Sequence, residues 1–284
     1  MTDLAGVVAI SGVAGVATGL GALPVFVRDR VTHRVYDAAL GLAAGLMVAA
    51  SVFGLIIPGM DEGTLAAVMV GVFVGGGGLL VGNYAIPHLH AQYRDWRPEG
   101  GATDRDASEV GTSAVTSTAA SGASGGVTTD PDRDVTLRKA LLIGGAITLH
   151  NAPEGLAIGV AFASGLEEVA LVLAVVIGLQ NVPDGFAFAV PMAETGMSNL
   201  RVVWYTMLSG VVPQVVASAF GFLLVSVATG LFPVASGFAA GAMLAVVFRE
   251  LIPSSHGHGH ADAATAAFLV GFVLLVVVDA VVAV

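Results

Sequence analysis

The chain alternates long apolar runs with short polar segments. Apolar windows of the roughly 20 residues that cross a bilayer recur along its 284 residues. We count eight, at about residues 4–27, 36–57, 65–87, 137–163, 167–191, 200–228, 231–252 and 262–284. This pattern predicts an all-α, multi-pass protein of the cell membrane, with eight transmembrane helices in a bundle.

Composition supports the same class of protein. Hydrophobic residues make up 56% of the chain and charged residues only 11%, which is far from the balance of a soluble globular domain. The absence of cysteine excludes disulfides and thiolate metal sites. A net charge of −10 with a single lysine is typical of proteins from a salt-loving host. We expect the lipid bilayer, and no nucleic acid, as a partner.

The segment between the third and fourth windows differs from the rest of the chain. Residues 91–135 are poor in large apolar residues and rich in Gly, Ser, Thr and Asp. Such a segment buries too little apolar surface to offset the entropy lost on ordering, so we predict a disordered cytoplasmic linker. The bundle is then split 3 + 5, with three helices in residues 1–90 and five in residues 136–284.

The basic residues predict the topology. All eleven fall in alternate loops or at the adjoining helix ends, whereas the other loops carry only acids. They are Arg28, Arg30, Arg34, Arg94, Arg97, Arg105, Arg133, Arg138, Lys139, Arg201 and Arg249. Because loops rich in Lys and Arg stay in the cytoplasm, both termini are expected outside.

Polar residues interrupt the fourth and fifth windows in a repeated pattern, HNAPEG at residues 150–155 and QNVPDG at residues 180–185. Spacings of three and four residues place the polar members of each motif on one helix face. These six side chains are His150, Asn151, Glu154, Gln180, Asn181 and Asp184. Gly155 and Gly185 leave room beside the acids for another backbone or a hydrated ion.

Two carboxylates inside a membrane need compensation. Each costs about 2.5–3.5 kcal/mol on insertion scales, and two that face each other repel. A divalent cation removes both costs, and oxygen and imidazole ligands suit Zn²⁺, Fe²⁺, Mn²⁺ or Co²⁺. The alternative is a set of polar contacts between helices with both acids protonated.

These motifs resemble those of the ZIP (Zrt/Irt-like protein) family of metal transporters, and the chain is most similar to the family's prokaryotic GufA-like branch. GNYAIPHLH near the third window and GAMLAVVFRELIPSSHGHGH near the seventh add to the resemblance. The resemblance implies a metal site formed by the six side chains, in the five-helix part of the chain. It also implies transport toward the cytoplasm, and usually a homodimer.

The sequence departs from the family pattern at two ligand positions. Asp184 stands where the family more often has Glu. In the sixth window an SGxxEP-like stretch appears as SGVVPQVV, so Gln214 or Pro213 replaces a carboxylate that would support a second metal. With two carboxylates in the site, we expect one tightly bound metal and not two.

Weaker candidates lie near the end of the seventh window. Glu250 could receive metal that leaves the main site, although pairing with the adjacent Arg249 is an equal alternative. His256, His258 and His260 alternate with glycine, which is typical of either a weak metal-handling segment or a solvated loop.

We therefore predict a transporter of a divalent transition metal and not an enzyme. The metal, Zn²⁺ first and Fe²⁺, Mn²⁺ or Cd²⁺ as other candidates, is the substrate, and no resident cofactor is expected. An intramembrane metalloenzyme and a metal sensor are the alternatives.

Overall fold

The computed structural model describes residues 2–30, 32–85, 150–194 and 196–282. All regular secondary structure in these ranges is helical. Seven of the described helices are long and apolar enough to cross a membrane, and each coincides with a window predicted from the sequence. The proposed linker at residues 91–135 and the first part of the fourth window, residues 137–149, lie outside the described residues.

We number the helices α1 to α8 in chain order. The first three are α1 (Leu4–Gly21), α2 (His33–Ala49, continued by Ala50–Ile56 and Ile57–Asp61) and α3 (Leu65–Ala85). The described part of α4 covers residues 150–163. The last four are α5 (Glu167–Glu194), α6 (Asn199–Val227), α7 (Phe232–Val246, continued by Val247–Leu251 and Ile252–Ser255) and α8 (Ala261–Val282).

Polar side chains mark where three of the helices begin. Asp3 Oδ1 accepts a hydrogen bond from the Gly6 amide at 2.8 Å before α1. Thr32 Oγ1 accepts one from the Val35 amide at 3.3 Å before α2, and Thr64 does the same before α3. Because the first amides of a helix have no partner within the helix, these caps fix its first turn.

Two helices contain a π-helical segment just before a proline. These segments are Ala50–Ile56 in α2 and Val247–Leu251 in α7, and they precede Pro58 and Pro253. A proline removes one backbone donor and displaces the carbonyl four residues earlier, which here lies inside the π segment. The wider π turn accommodates that displacement and changes the direction of the side chains around Glu250.

Burial separates inner from outer helices. In the most apolar stretch of each helix, the share of residues that are buried is 61% in α2, 61% in α5 and 67% in α7. The same share is 17% in both α3 and α8. Residues of α4 also belong to the largest apolar core cluster. The outer helices cover the inner ones: α3 packs on α7, α8 on α2, and α1 on α5 and α6.

Glycines allow the closest helix contacts beside the polar motifs. A side chain at Gly155 would collide with the backbone of Gln214 on α6, and one at Gly185 with the backbone of Thr18 on α1. The space predicted beside the acids is therefore taken by neighbouring backbones. As a result α4 is held against α6 and α5 against α1.

Candidate metal centre

The repeated motifs of α4 and α5 face each other inside the bundle. Gln180 Nε2 donates a hydrogen bond to Glu154 Oε1 at 2.8 Å, and both side chains are fully buried. Asp184, one turn after Gln180, is buried as well and close enough to Glu154 for their charges to interact. The two acids therefore lie in one enclosed region, which we call the α4–α5 cluster together with the other four motif side chains.

Asn181 connects this cluster to the two helices behind it. Its Nδ2 group donates to the Ala14 carbonyl on α1 at 2.8 Å and to Gln214 Oε1 on α6 at 2.9 Å. These two contacts use both protons of the amide nitrogen. The carbonyl oxygen of Asn181 is thus the group that remains available to a ligand.

Four buried oxygen atoms of the cluster have no hydrogen-bond partner among the described residues. They are Glu154 Oε2, Gln180 Oε1, Asn181 Oδ1 and Asp184 Oδ1. A buried acceptor without a donor costs about 1–3 kcal/mol, and native structures contain few of them. Four within one cluster, two of them on carboxylates, are the arrangement expected where a cation is the missing partner.

His150 lies at the edge of the cluster. Its Nε2 atom is 3.3 Å from Glu250 Oε2 in the π segment of α7, and its charge also interacts with Asp184. Asn151 is turned toward α6, where its Nδ2 lies 3.5 Å from the Ser209 carbonyl. The partly exposed pair of His150 and Glu250 connects the buried acids with a less buried part of the bundle.

A metal bound in the α4–α5 cluster would need amide groups as ligands. Among the described residues, no three histidine, aspartate or glutamate side chains form a group that could hold a metal by themselves. The cluster combines two carboxylates and an imidazole with amide oxygens. Oxygen and nitrogen ligands of this kind suit divalent transition metals, and two carboxylates balance the charge of one such ion.

Comparison with known proteins identifies the family. A family model described as "ZIP Zinc transporter" matches residues 4–279. The chain belongs to the ZIP family. The family resemblance inferred from the two motifs is thereby confirmed.

Three ZIP relatives are similar over most of their length. Zinc transporter GufA of Myxococcus xanthus is 36% identical over 97% of this chain and 98% of its own. Zinc transporter ZIP11 of Homo sapiens is 35% identical over 92% and 93%. Zinc transporter ZIPB of Bordetella bronchiseptica is 33% identical over 96% and 81%.

The three histidines after α7 have different surroundings in this ZIP protein. His256 Nδ1 lies 3.0 Å from Ser255 Oγ and 3.0 Å from the Ile252 carbonyl, at the end of its own helix. His260 is exposed. Of the three, only His258 contacts an acid among the described residues: its Nδ1 is 2.8 Å from Asp37 Oδ1 on α2.

Sequence reasoning did not predict two contacts between helices, that of Asp37 with His258 and that of Glu250 with His150. Asp37 is an acid inside the second apolar window, a signal that could have singled it out. For Glu250 the sequence offered release of metal from the main site or pairing with Arg249, and the carboxylate contacts His150 on α4. That contact depends on the packing of α7 against α4, which the spacing within α7 does not show.

Proposed function

We propose that this ZIP protein transports a divalent transition metal across the cell membrane into the cytoplasm, with Zn²⁺ as the first candidate. The observation that carries the proposal is the set of four buried oxygens without a hydrogen-bond partner in the α4–α5 cluster. The relatives named as zinc transporters support Zn²⁺ in particular. Fe²⁺, Mn²⁺ and Cd²⁺ share the same ligand preferences and remain alternative substrates.

The proposed roles follow from burial and charge. Glu154 and Asp184 provide the two negative charges that balance a divalent ion, and Gln180 and Asn181 add neutral oxygens. His150 provides a nitrogen ligand at the edge, and Asn151 a further amide. Helix-borne ligands within the membrane, next to prolines in the same helices, are common at transporter binding sites.

Glu250 is proposed as the next acceptor for the metal. Its carboxylate lies 3.3 Å from His150 Nε2 and is partly exposed. A metal held by His150 and Asp184 could pass to Glu250 without crossing an apolar stretch. The proposed direction of transport is therefore from the cluster toward the end of α7.

We further propose the complete topology. The seven spans and the α4 helix at residues 150–163 fit eight transmembrane helices, split into three and five by a cytoplasmic linker at residues 91–135. The distribution of the eleven basic residues supports a topology with both termini outside. As in the family generally, we expect a homodimer.

Accessibility labelling of intact cells tests the orientation. A tag at either terminus should react with an impermeant reagent from outside, whereas a tag inserted at residue 115 should react only after permeabilisation. Labelling at residue 115 alone would reverse the orientation and the inferred direction of transport.

Uptake into liposomes tests the function. Purified protein should support saturable Zn²⁺ uptake, and the Glu154→Gln variant should lose it. Tight Zn²⁺ binding without uptake would favour a sensor. Metal-dependent hydrolysis of a supplied substrate, again without uptake, would favour an intramembrane metalloenzyme.

A further inference from the structure

A groove between α3 and α7 lies apart from the α4–α5 cluster. Its volume is about 510 Å³, which is in the range of cavities that hold small-molecule ligands. The described residues that line it are Leu80 on α3 and Leu244, Ala245, Phe248 and Arg249 on α7. We call it the α3–α7 groove.

Glycines on both helices determine where the groove begins. Two glycines of α3 and two of α7 are each four residues apart, and a side chain at any of them would collide with the backbone of the other helix. These residues are Gly71, Gly75, Gly237 and Gly241. Small residues at this spacing let two membrane helices approach closely. Beyond them the groove is lined by leucines, Leu80 and Leu244, whose larger side chains keep the two helices apart.

The groove is open to the surface that faces lipid in a bilayer. Phe248 is 66% exposed and Leu80 40% exposed, although both are large apolar residues. A side chain at Gly77 or Gly78 of α3 would meet nothing within 4 Å. This part of α3 therefore leaves space beside the groove that an acyl chain can enter.

Arg249 gives the groove its charge. It is half-buried and is the one charged side chain among the described residues that line the groove. The adjacent Glu250 contacts His150 on α4, so the two neighbouring charges serve different parts of the bundle. Charged residues within transmembrane helices are costly and mark binding sites, or they extend toward the lipid headgroups.

The chemistry of the lining selects an anionic lipid. A guanidinium group donates two parallel hydrogen bonds to a phosphate, and basic pockets between transmembrane helices bind acidic headgroups. The other described lining residues are apolar and match an acyl chain. Since the described lining contains no acid, it offers no partner to the ammonium group of a zwitterionic headgroup.

We propose that the α3–α7 groove binds one anionic phospholipid. Its phosphate contacts the Arg249 guanidinium, and its acyl chain lies against Leu80, Leu244 and Phe248. With the topology proposed above, this lipid comes from the cytoplasmic leaflet. The proposal goes beyond metal transport, because the ligand is a lipid and none of these side chains belongs to the α4–α5 cluster.

Native mass spectrometry of the full-length chain tests the headgroup contact. In detergent micelles that contain phosphatidylglycerol or phosphatidylcholine, we expect one phosphatidylglycerol to be retained per chain, in preference to phosphatidylcholine. Arg249→Gln should weaken this binding about tenfold or more, because it removes a hydrogen-bonded charge. Arg201→Gln is the matched control, since it removes an exposed arginine at the start of α6 and should leave the binding unchanged.

A second pair of variants tests the groove without a change of charge. Leu80→Trp keeps the guanidinium but fills the cavity, so it should also lower phosphatidylglycerol retention by about tenfold or more. Val81→Trp adds the same ring to the same helix at a residue that is 67% exposed and lies outside the described lining. It should retain the lipid. This pair decides the proposal even if Arg249→Gln does not fold.

Several outcomes would overturn the proposal. One is equal phosphatidylglycerol retention in Arg249→Gln and Arg201→Gln, and another is equal retention in Leu80→Trp and Val81→Trp. Equal retention of phosphatidylcholine by the unaltered chain would exclude a preference for anionic lipid, and displacement of the lipid by inorganic phosphate would indicate a site for free phosphate. If Leu80→Trp dissociated a dimer without changing lipid retention, the occupant would be a second copy of the chain.

Discussion

The motifs at residues 150–155 and 180–185 have the same spacing of polar residues, proline, acid and glycine, but the fold gives them different surroundings. The first residue of the α4 motif, His150, is partly exposed and contacts Glu250. The first residue of the α5 motif, Gln180, is fully buried and donates to Glu154. The α5 motif thus contacts the acid of the α4 motif, whereas the α4 motif contacts an acid on α7.

The asparagines at the second position of the two motifs also have different contacts. Asn181 makes two contacts below 3.0 Å, with Ala14 and Gln214, whereas Asn151 has a 3.5 Å contact with the Ser209 carbonyl. The contacts of Asn181 are thus the shorter ones. The same spacing places an asparagine in different surroundings, depending on which neighbouring helices lie beside it.

Removal of either acid should have the largest effect on transport. Each motif contributes one of the two negative charges of the proposed site. Glu154→Gln and Asp184→Asn each keep the side-chain volume but halve the negative charge available to a divalent ion. An unbalanced charge in this environment costs several kcal/mol, so Zn²⁺ uptake should fall by about 100-fold or more. The measurement is uptake into liposomes at equal protein content.

Glu168→Gln is the control for this pair, since it neutralises an exposed acid in the first turn of α5. It should transport normally. If Glu154→Gln retained normal uptake, the α4–α5 cluster would not be the transport site.

Alanine at Gly155 or Gly185 should have the next largest effect, on stability. At either position the new methyl group would collide with a neighbouring backbone, and overpacking of this kind costs about 1–3 kcal/mol. The thermal unfolding midpoint in detergent should fall for both variants. Gly77→Ala and Gly78→Ala on α3 serve as controls, because a methyl group there meets nothing within 4 Å. Equal midpoints in all four variants would contradict the close packing at the motifs.

The architecture was largely predictable from hydropathy. The ends of the seven described spans lie within a few residues of the predicted windows, because apolar length and polar caps both mark where a helix begins. Periodicity also predicted that His150, Asn151 and Glu154 share a face. These features depend on residues close together in the chain, which is the information that a sequence pattern carries.

Contacts between helices were less predictable. Apolar residues surround each span on every side, so the sequence does not show which helices become neighbours. The contact of Glu250 with His150, and that of His258 with Asp37, both join segments far apart in the chain. The π segments before Pro58 and Pro253 also change the side-chain directions that a 3.6-residue period would give. The two polar motifs could be recognised in the sequence, but the contact of His150 with Glu250 could not.

Variants at the first residue of each motif should distinguish metal binding from metal release. Gln180→Met removes the donor to Glu154, and loss of a hydrogen bond to a charged group costs about 1.5–3 kcal/mol. We therefore expect the KM for Zn²⁺ to rise about tenfold or more. His150→Gln should instead lower mainly the maximal rate, because His150 lies between Asp184 and Glu250. Initial rates over a range of Zn²⁺ concentrations distinguish the two, and the same change in both parameters for both variants would remove the distinction.

Substitution of Gln214 should have the smallest effect on transport. It should change the number of bound metals more than the rate of uptake. The Gln214 side chain is fully buried and its Oε1 accepts from Asn181 at 2.9 Å, while its backbone carbonyl accepts from Ser11 Oγ at 3.1 Å. Glutamate at this position keeps the oxygen that Asn181 needs and adds a negative charge next to the α5 motif. Asn181 should then remain in place, and uptake should change only a few-fold.

The added charge should nevertheless change how many metals bind. In the proposed site Glu154 and Asp184 would balance one divalent ion, and a second would leave uncompensated charge that costs several kcal/mol. Gln214→Glu compensates part of that charge, so we expect two metals per chain in place of one. Elemental analysis after equilibrium dialysis measures the ratio of metal to protein for both proteins. Two tightly bound metals in the parent protein, or one in the Gln214→Glu variant, would show that carboxylate count does not set the stoichiometry.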